Sequence, residues 1–97
     1  MQFVIIGNDK KGALQTRKSA RADHLAYWGG QGNKFLAAGP FLDENENPCG
    51  SMMIVEADDI DEAKRLAASD PYVTRGVFEN FEVRRWNWLL GRPESGS

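Results

Sequence analysis

Three short stretches of this chain are apolar on both alternating sides: Phe3-Val4-Ile5-Ile6, Phe35-Leu36-Ala37-Ala38 and Met52-Met53-Ile54-Val55. Successive side chains of a strand point to opposite faces of its sheet. An antiparallel sheet packed on one side only should alternate apolar with polar residues. These runs do not alternate, so the sheet they form needs cover on both faces.

The rest of the chain supplies cover for only one. Leu14 to Trp28 contains no Pro or Gly, and Leu14, Arg21, Leu25 and Trp28 recur at helical spacing, with Arg17, Lys18 and Asp23 assigned to a solvated side. Gly29-Gly30-Gln31-Gly32-Asn33 stops this helix with residues that tolerate the left-handed conformation. A second helix opens at Asp58-Asp59-Ile60-Asp61-Glu62, where acidic side chains suit the helix dipole. Its buried stripe is Ile60, Ala63, Leu66 and Ala67, and Pro71 marks its end.

The strands complete the order. Phe3–Ile6 is closed by a Gly7-Asn8-Asp9 turn signal; Lys34–Leu42 carries Gly39-Pro40 and therefore belongs at an edge or at a bulge. The polar loop Asp43–Gly50 leads as a hairpin into Ser51–Glu56, and an aromatic-rich last strand runs from Phe78 to Trp88. Strand, helix, hairpin, helix, strand is the βαββαβ order of a ferredoxin-like α+β fold with a four-stranded antiparallel sheet. Two helices shelter one face. The other exceeds the few hundred Å² of apolar patch that monomers tolerate, which points to a face-to-face homodimer. The alternative is that the last strand and tail fold back over that face.

Ninety-seven residues fit one domain, here taken as 1–90 with a flexible tail over 91–97. With 41% hydrophobic and 27% charged residues, the composition is that of a folded chain. Twelve basic against fourteen acidic residues give a net charge of −2, unlike the basic excess of a nucleic-acid binder. Cys49 is the only cysteine, which leaves no intrachain disulfide. No apolar run reaches the length of a secretory signal core or a membrane span. The expectation is a cytoplasmic protein with neither nucleic acid nor membrane as partner.

Few residues could carry chemistry. His24, the single histidine, shares a helix face with Tyr27 and Trp28. It is either a general acid/base or a half-buried ring satisfied by a carbonyl. Asp70 precedes Pro71 as a common turn former would, yet an acid at a helix C-terminus opposes the dipole. A carboxylate within reach of His24 would orient its ring. Gly39-Pro40 either bends an edge strand or lets a ligand approach the backbone. Ser51 caps a turn or faces a pocket, and Tyr72, Phe81, Trp86 and Trp88 line a pocket or fill core and interface. One histidine and one cysteine cannot build a site rich in such ligands, and no phosphate-binding glycine loop opens a helix. No metal and no cofactor is expected.

In sequence order, His24, Ala38-Gly39-Pro40, Gly50-Ser51, Glu56-Ala57, Glu62-Ala63 and Ser69-Asp70-Pro71-Tyr72 resemble the YciI-like (YCII-related) family across residues 1–88. The resemblance implies a dimeric α+β barrel with one pocket per subunit and a His-Asp pair in it, here His24 and Asp70. Gly39, Pro40, Ser51 and Tyr72 then shape the substrate pocket. A few members of that family are dehydrochlorinases of chlorinated hydroxylated aromatics. The function expected is acid–base proton transfer, isomerase- or lyase-like, on a small cyclic or aromatic metabolite. The alternative is a non-catalytic module that binds a small molecule or another protein.

Overall fold

The computed structural model describes residues 1–93. The elements are β1 (Gln2–Asp9), α1 (Leu14–Gly29), a single 3-10 turn at Gly32–Lys34, β2 (Phe35–Leu42), β3 (Pro48–Glu56), α2 (Ile60–Ala68), α3 (Pro71–Thr74) and β4 (Phe78–Trp86). They form one four-stranded sheet in the order β2-β3-β1-β4, with every neighbouring pair antiparallel. This is the ferredoxin-like architecture expected from the order of elements. From residue 94 on, the expected tail lies outside the described residues.

β1 shows how the apolar runs are used. Phe3 and Ile5 are fully buried, while Val4 and Ile6 on the opposite face are half-buried. In β3 the corresponding core residues are Met53 and Val55. Ala20 and Trp28 of α1, Ala63 and Ala67 of α2, and Tyr72 of α3 join them in one core, so the helices share a face of the sheet. Alanine allows a helix to approach a sheet closely, which leaves its larger neighbours to fill the remaining gaps.

The opposite face carries Val4 against Ile54 and Ile6 against Met52 in β1 and β3. Its β4 column is polar, with Glu82 beside Ile6 and Arg84 beside Val4. Met52 and Trp86 are 37% and 39% exposed.

Several boundaries differ from expectation. Gly7-Asn8-Asp9 continues β1, and the turn falls later, where Gly12 adopts φ 77°. Gly7 is needed for space instead: a Cβ there would lie 2.4 Å from the Phe78 ring. β3 begins at Pro48, ahead of Ser51, and β4 stops at Trp86, ahead of Trp88. β2 is an edge strand with register shifts near both ends, as Pro40 requires. After α2, Pro71 begins a further short helix, since proline is tolerated at the first helical position. No helix among the described residues is long and apolar enough to cross a membrane.

Candidate active site

Ala13, Arg17, Ala20, His24 and Trp28 are the buried positions along α1 and its N-terminal flank. Their spacing of three or four residues places them on one side of the helix. The expected stripe of Leu14, Arg21 and Leu25 is displaced from them by one residue, a rotation of about 100°. Leu25 is 51% exposed, whereas Arg17 is only 6% exposed and does not face solvent. Burial of Arg17 is offset by three polar partners on two strands, β1 and β3. Its Nε donates to Asp9 Oδ2 at 2.9 Å, and Nη2 donates to the Gly50 carbonyl at 2.7 Å and to Ser51 Oγ at 2.6 Å. The guanidinium also lies 4.5 Å from the centre of the Tyr72 ring, a cation–π contact.

Two turns further along, His24 is 7% exposed. Its Nδ1 donates to Asp70 Oδ1 at 2.7 Å, because an ionised carboxylate can only accept. Asp70 is fully buried and takes two further donors, Trp28 Nε1–H at 2.9 Å and the Tyr72 backbone N–H at 2.8 Å. The last contact makes Asp70 the N-cap of α3. The dipole conflict inferred from sequence is therefore absent: Asp70 follows the end of α2, but it sits where α3 favours a negative charge.

Tyr72 stacks flat on the imidazole, with ring centroids 3.8 Å apart and an interplanar angle of 10°. Phe78 meets the Tyr72 ring edge-on at 5.7 Å. Burial raises the Tyr72 phenol above its ordinary range, opposed by the positive charges of Arg17 and Arg21. The histidine is thus fixed by a carboxylate at one nitrogen and by an aromatic plate on one face.

Its other nitrogen is available. Among the described residues Nε2 has no hydrogen-bond partner, and no unpaired side-chain nitrogen or oxygen is buried. Nε2 therefore reaches accessible space. His24 lines a cavity of about 250 Å³ between α1 and the β2–β3 edge, together with Tyr72, Ser51, Met53, Pro40 and Gly39. The sequence-selected residues His24, Asp70, Gly39, Pro40, Ser51 and Tyr72 thus converge, five at the cavity wall and Asp70 behind it. Phe81 packs against the core, and Trp86 and Trp88 meet at a tilt of 36°, away from the cavity.

Arg17 and Asp9 were missed by the sequence reading. The signal was present, since Arg17 lies seven residues before His24 and so on the same helix face. Among the described residues no three His, Cys, Asp or Glu side chains gather as metal ligands would.

The model of the YCII-related domain family matches residues 1–87. Protein YciI of Escherichia coli O6:H1 is 35% identical over 92 residues, spanning 87% of this chain and 94% of that protein. Among solved structures, 5-chloro-2-hydroxyhydroquinone dehydrochlorinase (TftG) from Burkholderia phenoliruptrix AC1100, in complex with 2,5-dihydroxybenzoquinone, superposes with a TM-score of 0.80. It is 34% identical, and the match covers 90% of this chain and 94% of that one. SnoaB, a cofactor-independent oxygenase from Streptomyces nogalater, shares the fold alone. Its TM-score is 0.55 at 15% identity, over 94% of this chain and 96% of that one.

Proposed function

The chain belongs to the YCII-related domain family, and from that premise we propose a cofactor-independent enzyme that moves a proton on a small cyclic or aromatic metabolite. One observation carries the reading. His24 is held at Nδ1 by a fully buried carboxylate while Nε2 reaches a cavity. That is the arrangement of a general acid/base whose partner fixes the tautomer and stabilises the imidazolium as it forms. The likeness to TftG, a dehydrochlorinase bound to a quinone ring, supports the substrate class.

In this reading Nε2 of neutral His24 accepts a proton from the bound ring. The electron pair released shifts a double bond or expels a leaving group. Isomerisation returns the proton from the imidazolium to another ring atom, and elimination passes it to solvent. Asp70 stays ionised throughout and holds the ring in place. Gly39, Pro40, Ser51 and Tyr72 shape the cavity around the substrate. Two copies pair through the helix-free faces of their sheets to close a barrel.

The test is turnover of hydroxylated aromatics and lactones by the native protein and by His24→Ala. A fall of about 10²–10⁴-fold in kcat with ligand binding retained is expected for a lost acid/base. Equal rates in the two proteins, or binding without turnover in both, defeat the proposal.

A further inference from the structure

The charges around the cavity are one-sided. Besides His24, its ionisable lining consists of Arg17, Lys18, Arg21 and the Tyr72 phenol, with no Asp or Glu. Arg17 is offset by Asp9 through a buried ion pair. Asp70 is also accounted for, because it lies behind the imidazole and is shared among His24, Trp28 and Tyr72. Lys18 and Arg21 are different. Both are exposed at the mouth, one turn apart on α1, and among the described residues neither forms an ion pair or hydrogen bond. The acid of that stretch, Asp23, is paired with Arg75 instead. Burial raises the Tyr72 phenol, and the positive charge of Arg21 opposes that rise only in part, after Arg17.

Aliphatic groups form much of the remaining wall: Leu14, Leu25, Pro40, Pro48 and Met53. A cavity with apolar sides and two uncompensated cations at its mouth suits a flat ring that carries a negative substituent. We propose that Lys18 and Arg21 select an anionic substrate, a carboxylate- or phenolate-bearing ring whose charged group sits at the mouth while the ring reaches His24. This builds on the proposed function by specifying the substrate's charge. A long-range attraction of this kind acts through low-dielectric walls and weakens as salt screens it.

The experiment measures binding, not turnover, so that it stands apart from the test of catalysis. Para-hydroxybenzoate and its uncharged isostere para-hydroxybenzamide are titrated calorimetrically into the full chain at neutral pH, in low and in physiological salt. The carboxylate should bind about tenfold more tightly in low salt, about threefold for each of two solvent-exposed charge pairs. The advantage should shrink by about threefold in Lys18→Gln and in Arg21→Gln, and should vanish in the double variant. It should also narrow in physiological salt. Both positions are exposed, so unchanged thermal unfolding of the variants checks that they fold. Equal affinity for the two ligands, no binding of either, or a preference that survives the double substitution overturns the inference. His24→Gln titrated in parallel separates the two readings: its charge preference should be retained, because Lys18 and Arg21 remain, whereas the acid/base role stands or falls with the turnover of His24→Ala.

Discussion

Asp70 accepts three hydrogen bonds with no exposure to water, one each from an imidazole, an indole and a backbone amide. A carboxylate can serve all three because it is acceptor-only. Asp70→Asn keeps the shape but turns one oxygen into a donor, which then faces the N–H of His24 or of Trp28. The expected cost is about 1–3 kcal/mol of folding stability for the group left unsatisfied, read from urea unfolding, and the imidazole loses its fixed tautomer. A second consequence concerns Tyr72, whose phenol is raised chiefly by burial. The folded state then holds that proton more tightly than the unfolded one, so stability is intact below the ordinary tyrosine value of about 10 and falls as pH rises beyond it. Tyr72→Phe should flatten the alkaline arm of urea midpoint against pH, and an unchanged arm would count against this cause. His24 stood out in sequence as the single histidine, whereas Asp70 was marked by its place in Ser69-Asp70-Pro71-Tyr72, the dipole conflict that also drew notice to it being absent. Arg17 left only a faint trace, its seven-residue spacing from His24, because its burial depends on Asp9, Gly50 and Ser51, which only the folded sheet brings within reach.

At the level of helices and strands, order and type were readable, while boundaries and rotations were not. The rotation of α1 illustrates why. Apolarity alone favours Leu14 and Leu25, but the helix turns Ala20, Trp28 and its two partnered polar residues inward instead. Small residues permit close approach to the sheet, and satisfied hydrogen bonds remove the penalty of burying Arg17 and His24. Gly7 was misread for a related reason. Its neighbours in sequence resemble a turn, yet its role is set by Phe78, which is distant in sequence and adjacent across the β1–β4 pair. Gly7→Ala should therefore displace the Phe78 ring, at a cost of about 1–3 kcal/mol for overpacking. Phe78 backs Tyr72, and Tyr72 stacks on His24, so the displacement should reach the site. Urea unfolding measures the first effect, and a changed His24 ring resonance in NMR spectra reports the second. A stable variant with an unmoved His24 signal would show that the strand and the site are not coupled in this way.

For the chain as a unit, the decisive feature is the sheet face that no helix covers. An eight-residue strand spans roughly 27 Å, and four strands span about 19 Å, so the face projects to about 500 Å². Side-chain relief raises the accessible area further, toward the ~800 Å² per partner of a standard interface. Its centre is apolar, with Val4, Ile54, Ile6 and Met52 in two cross-strand pairs. Glu82 and Arg84 supply a charged border on β4. That is the anatomy of an interface, an apolar centre with a polar rim. The apolar character of this face was legible in Phe3-Val4-Ile5-Ile6, which is apolar on both of its alternating sides. What the sequence left open is which residues of the aromatic-rich Phe78–Trp88 stretch share this face, because Glu82 and Arg84 are assigned to it only once the β1–β4 register is known. The proposed dimer makes a definite prediction. Ile6 and Met52 are cross-strand partners at the centre of the face, so Ile6→Lys with Met52→Lys places two like charges side by side where the partner's apolar side chains would lie. Desolvating that pair is unfavourable by several kcal/mol, enough to dissociate a micromolar dimer. Sedimentation velocity should find the native protein at twice the chain mass and the double variant at the chain mass, both with native circular dichroism. A native protein that sediments at the chain mass at micromolar concentration would leave the face without its proposed partner, and the barrel with it.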